Sequence, residues 1–168
     1  EYDKEALTVI ETAMWASEPV PFDPMEKTLH QIYEKHTSGD QRESFSMVHE
    51  YPLDGVPPMM THIFENKSGA RIIAAKGAPE AILKLCHLTD VQLQEVQAII
   101  DQLALQGYRI LGVATASHTG NDFPAAQQSF SFALTGLVVF YDPPKPGIEN
   151  VFRKFYEAGI EVKIITGD

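Results

Sequence analysis

The chain has 168 residues, 44% of them hydrophobic, and carries a formal charge of −10 with a single cysteine. That is enough length for one full core and part of another, and too much apolar content for large-scale disorder. The acidic balance argues against nucleic acid as the main partner, Cys86 alone permits neither an internal disulfide nor a thiolate zinc site, and the longest apolar run, near Leu137–Tyr141, is far too short for a bilayer.

The chain opens on charged residues and a helix, so no signal peptide is expected. Residues 3–17 place Leu7, Ile10 and Met14 at helical spacing beside Trp15, with Asp3 as the cap. Pro19 and Pro21 make a loop of 18–22. The next helix starts at Asp23, a natural N-cap, with Pro24 at the first helical position. Met25, Leu29, Ile32 and Tyr33 form its buried stripe, and Gly39 is placed to end it. Glu26 has two readings, a capping-box residue or an acceptor facing a ligand, and its spacing alone favours the cap.

From Ser44 the period changes from helix to strand. FSMVHEY, MMTHIFEN and ARIIAAK read as strands, with NKSG as a hairpin turn and LDGVPP, residues 53–58, as a loop in which Pro57 and Pro58 bar a strand. Lys76 closes the third strand. Gly77 permits a sharp turn, and Pro79 with Glu80 opens a helix. A lysine held there suits an anion, a phosphate above all, although a solvated charge before a turn satisfies the same pattern. Thr89 caps a long helix whose core face is Val96, Ile99, Ile100 and Leu103, and Gly107 closes it. YRILGVATA is a strand and 117–128 a polar loop.

FSFALTGLVVFY carries strand signal twice, split at Gly136. GLVVFY, the helix IENVFRKFYEAG with Val151, Phe155 and Ala158 on one face, and IEVKIITGD have the rhythm of a β–α–β unit with parallel strands. Its polar strand ends, Asp142 and Thr166–Asp168, lie where such sheets bind ligands. The expected class is therefore α+β: an antiparallel sheet flanked by helices over 1–135, then a partial β–α–β piece over 136–168. The histidines His30, His36, His49, His62, His87 and His118 are scattered without metal-ligand spacing and read as surface or packing residues, so no metal site is expected.

The ordered set DPME (23–26), YPLDGVPPMMT (51–61), KGAPE (76–80), GYRILGVA (107–114), DPPKPG (142–147) and TGD (166–168) resembles the P-type ATPases, cation pumps driven by ATP. The resemblance covers nearly the whole chain. It implies a nucleotide-binding domain followed by part of a haloacid-dehalogenase-like phosphorylation domain. The phosphoacceptor motif DKTGT and the magnesium-binding GDGxNDxP are not in the 168 residues. The resemblance thus implies a cytoplasmic fragment of a bacterial plasma-membrane pump, one that binds ATP without completing phosphoryl transfer, with its Mg²⁺ site mostly elsewhere. Its partners are the remaining phosphorylation, actuator and membrane domains. The transported cation is not bound by the fragment, and KGAPE with DPPKPG looks most like the calcium-type branch, ahead of proton, magnesium or sodium–potassium branches.

Residue by residue, the resemblance puts Glu26 near the adenine amino group, Lys76 at the base of the adenine pocket with Gly77 allowing close approach, Leu111 on an apolar wall and Arg109 on the phosphates. Asp142 matches the aspartate of the DPP motif, Thr166 contacts the transferred phosphoryl, and Gly167 and Asp168 complete that loop. Leu53 stands where the family often has a stacking phenylalanine, and Pro58 where it has a lysine. Leucine covers a ring without an aromatic quadrupole and proline brings no charge, so weak ATP affinity is expected, with Phe45 and Tyr51 as possible substitutes. Two other readings stay open, a soluble haloacid-dehalogenase-type phosphohydrolase and a non-enzymatic nucleotide-binding or interaction module.

Overall fold

The computed structural model describes residues 2–141, 143, 145–163 and 165. Helix α1 spans Lys4–Trp15 and is started by Asp3, whose carboxylate accepts from the Ala6 amide. Helix α2, Pro24–His36, follows the expected Asp23–Pro24 signal, though it ends at Thr37, before Gly39. Five strands then form one antiparallel meander in chain order: β1 Phe45–Asp54, β2 Met59–Asn66, β3 Arg71–Gly77, β4 Arg109–Ala116 and β5 Phe132–Phe140. The β2–β3 hairpin is fixed by Asn66, whose Oδ1 accepts from the Ser68 and Ala70 amides, and by Gly69 at φ 81°.

The sheet is covered on both faces because its strands alternate two apolar sets. One set, with Phe64, Ala74 and Val113, packs under Ala13, Met14 and Trp15 of α1 and Leu29 and Tyr33 of α2. The other, with Ile63, Ile73, Ala75 and Ala114, packs against Ala81 and Ile82 of helix α3, Pro79–Leu85, and against Phe130 and Phe132. Helix α4, Asp90–Leu105, carries the capping box of Thr89 and Gln92. Of its expected core face only Ile100 is fully buried. Ile99 is 51% exposed, because α4 lies along β4 with a single edge and does not sit flat on the sheet.

β5 departs from the expected split at Gly136. It is one strand, paired with β4 from Arg109↔Phe140 to Ala116↔Phe132. Val113 faces Gly136 and Ala114 faces Leu134, so Thr135 is the extra residue of a bulge, and residue 135, the expected end of the first domain, lies inside the strand. The expected parallel β–α–β arrangement is not formed among the described residues. Leu137–Phe140 is antiparallel, and among the described residues no strand follows helix α5, Ile148–Glu157. The open edge of β4 offers a full ladder to Leu137–Phe140.

Candidate functional site

A meander reverses at each turn, so the end of β1, the start of β2, the end of β3 and the start of β4 share one end of the sheet. That end gathers Leu53, Met60, Lys76, Gly77, Arg109 and Leu111. Lys76 pairs with Met60 on one side and Val113 on the other. Side chains alternate along a strand, so Arg109, Leu111 and Val113 share the face of Lys76, the face under α1 and α2.

Lys76 is buried, 6% exposed, and does not float in solvent as a strand-end charge. Its Nζ donates to Glu26 Oε1 at 2.5 Å and to Ser17 Oγ at 2.7 Å. Burial pushes the ammonium below its ordinary pKa, against the pull of Glu26. Glu26 corrects the capping reading. The amides of Met25 and Glu26 donate to Asp23, and the Glu26 carboxylate turns to Lys76 instead. An ammonium removed from water needs a counter-charge far more than a half-exposed helix start needs a second cap. Glu26 Oε2 is buried and has no hydrogen-bond partner among the described residues.

Gly77 is required by the sheet itself. A Cβ there would lie 2.5 Å from Met59 Cα and 2.5 Å from the Pro58 carbonyl oxygen. The Ala78 amide donates to that same carbonyl at 2.8 Å. Leu111 is half-buried on β4, and Arg109 is exposed at its start. Leu53 stands 63% exposed near the end of β1. Neither aromatic substitute is free to take its role: Tyr51 is buried in the opposite cluster and donates to the Pro124 carbonyl, and Phe45 packs edge-on to Trp15. The structure thus joins Glu26 and Lys76 in direct contact and collects the others at the same sheet end. Asp142, Thr166, Gly167 and Asp168 lie outside the described residues.

Sequence reasoning missed Ser17 and His62. Ser17 follows α1 and has no motif around it; its bond to Lys76 spans 59 positions. His62 did leave a signal. It sits between Met60 and Phe64 on the buried alternation of β2, and it is fully buried with Nδ1 3.0 Å from the Ser17 carbonyl oxygen. A cleft of about 400 Å³ lined by Trp15, Ser17, His30, Arg42, Phe45 and Phe64, among others, touches this group through Ser17.

An antiparallel sheet between helix layers with a buried acid–lysine pair at one end defines the class, and sequence comparison sets it in a family. The chain belongs to the P-type ATPases: residues 22–147 match the family's cytoplasmic domain N. It is 31% identical over 130 residues to a probable proton ATPase 1A of Leishmania donovani, covering 77% of this chain and 12% of that protein. It is 29% identical over 136 residues to a calcium-transporting ATPase of Bacillus subtilis, 74% of this chain and 15% of the relative. It is 30% identical over 170 residues to a sodium/potassium exporting P-type ATPase of Schizosaccharomyces pombe, 94% of this chain and 16% of the relative. The chain therefore spans roughly an eighth to a sixth of the length of these relatives. Among the described residues no helix is long and apolar enough to cross a membrane.

Proposed function

We propose that this chain is the ATP-binding part of a cation pump and that it binds adenine nucleotide without turning it over. The observation that carries the reading is the partnerless Oε2 of Glu26, a buried carboxylate oxygen that needs a donor. The exocyclic amino group of adenine is such a donor. Guanine presents a carbonyl oxygen at that position, which would face the carboxylate acceptor to acceptor. Lys76 holds Glu26 in place through Oε1, and Leu111 and Leu53 supply apolar surface for the ring. Arg109, on the same sheet face and exposed, would reach the phosphates.

In the whole pump, ATP would phosphorylate an aspartate, with magnesium neutralising phosphate charge, and the acyl phosphate would drive transport. This chain's part is to hold the nucleotide. The 168 residues hold no DKTGT motif, which is why no turnover is expected. Asp142 and Thr166–Asp168 would meet the phosphoryl group and its magnesium, with α5 leading into the phosphorylation domain. For the transported ion, KGAPE and DPPKPG support calcium, the ion in the name of the Bacillus subtilis relative. Ion-dependent ATPase activity of the complete pump in membranes tests that choice.

For the chain itself, parallel titrations with ATP and GTP followed by backbone amide NMR decide the matter. ATP is expected to shift the amides around Glu26, Lys76 and Leu111, GTP far less, and no phosphate to be released. Equal response to both nucleotides, or none to either, would remove Glu26 as an adenine contact. Sustained phosphate release would sink the claim of binding without turnover.

A further inference from the structure

Three ligand-bearing side chains that are far apart in sequence meet beside the sheet. Glu18 follows the end of α1, Glu50 lies on β1, and His62 lies opposite Glu50 on β2. One ligand atom from each falls within 4.8 Å of the others. Acidic groups gather on many surfaces without consequence, so the weight falls on His62.

His62 is 0% exposed. Its Nδ1 lies 3.0 Å from the Ser17 carbonyl, which accepts only, so Nδ1 carries the proton. Nε2 is left as a bare lone pair, buried and without a hydrogen-bond partner among the described residues. The group is therefore one orphan acceptor nitrogen and two carboxylates, all acceptors. A donor of several bonds or a cation satisfies that set. A backbone carbonyl holding the far ring nitrogen is also the usual support behind a metal-bound histidine.

We propose that His62 Nε2, Glu18 and Glu50 hold a divalent transition-metal ion of the zinc or manganese class. The nitrogen donor separates this set from calcium and magnesium sites, which use oxygen ligands. Two carboxylates and a neutral imidazole balance the charge of a divalent ion. Glu50 is exposed and Glu18 half-buried, so the ion has an entry path from solvent while the histidine forms the floor. The inference does not depend on nucleotide binding, although Ser17 links the two places: its carbonyl orients His62 and its hydroxyl accepts from Lys76.

The test is calorimetric titration of the 168-residue chain with ZnCl₂ and MnCl₂, without nucleotide, alongside ¹⁵N NMR of the histidine rings. Expected are one saturable site, a zinc-induced shift of His62 Nε2, and weakening by at least tenfold in Glu18→Gln and in Glu50→Gln. Both substitutions keep size and touch no core packing, so each variant should stay folded, and Glu43→Gln serves as the control. Absence of saturable binding at millimolar metal would overturn the proposal. So would binding that both variants leave intact, or a shift confined to another histidine.

Discussion

Lys76, at the end of β3, and Glu26, in the first turn of α2, form a 2.5 Å ion pair between side chains only 7% and 10% exposed. Such a pair is costly to break from one side, since the remaining charge stays buried and uncompensated. Lys76→Ala is therefore expected to lose roughly 3–5 kcal/mol of stability in urea denaturation. The joint change Lys76→Met with Glu26→Leu should recover most of that loss. Lys163, whose contact with Glu161 is 3.6 Å long between exposed side chains, is the control, and its alanine variant should match the parent. A mild effect of Lys76→Ala on stability would return Lys76 to the role of a solvated charge.

Gly77→Ala tests the close approach of β3 to the start of β2. The new methyl group would sit 2.5 Å from Met59 Cα, and backbone cannot swing aside as a side chain can. Overpacking of this kind costs about 1–3 kcal/mol and sometimes more. Gly39 meets nothing within 4 Å, so Gly39→Ala should be neutral or slightly stabilising. Equal thermal midpoints for the two variants would contradict this picture.

Acid should destabilise the chain before its carboxylates titrate. Burial lowers the pKa of both His62 and His30 below 6.5, with Arg42 lowering that of His30 further. The Ser17 carbonyl, Glu18 and Glu50 pull His62 the other way, and Lys76 adds to the lowering. The folded state thus binds fewer protons than the unfolded state. The stabilisation is present above 6.5 and is lost as the pH falls through the two folded values. Each histidine contributes a slope of at most about 1.4 kcal/mol per pH unit. Urea denaturation in the presence of a chelator, from about pH 7.5 to 5, should show this loss, and His30→Gln should reduce its steepness. Stability that stays flat across that range would contradict the assignment.

Two surface residues separate the ring from the phosphates of the proposed ligand. Leu53→Phe places an aromatic face on an exposed position and should tighten ATP roughly tenfold, in line with base stacking on aromatic side chains. Arg109→Ala should weaken ATP several-fold and leave adenosine unchanged. Calorimetry with both ligands reads the difference. An Arg109→Ala variant that loses both equally places the arginine at the ring, and an unchanged Leu53→Phe takes Leu53 out of the site.

Helix starts were legible because their causes are local: Asp3, Asp23 and Thr89 each bond an amide two or three residues on. The three central strands and the Asn66 turn were legible from alternation. The chemistry of Lys76 was half legible. Its place at a strand end and its likeness to a family lysine could be read, but its burial depends on Glu26 and Ser17, which lie 50 and 59 positions away. The same distance hid the meeting of Glu18, Glu50 and His62. β5 was misread for the opposite reason. Gly136 looks like a break locally, and only the neighbouring strand shows it to be paired, beside a bulge at Thr135. Ile99 follows helical spacing faithfully, yet its exposure is decided by how narrowly α4 meets the sheet.

Gly136 has an effect that reaches the two ends of the chain. A Cβ there would come within 2.7 Å of Val9, so the bulge is the seat into which α1 settles. Every strand pair of the meander joins strands consecutive in the chain, the longest connection being residues 78–108 between β3 and β4, whereas the docking of α1 on β5 closes a loop of more than a hundred residues. The sheet is thus expected to assemble first and α1 to lock last. Filling the seat with Gly136→Val should leave strand amides protected from hydrogen exchange while those of α1 lose protection, which would make the first helix a detachable latch on a sheet that folds without it.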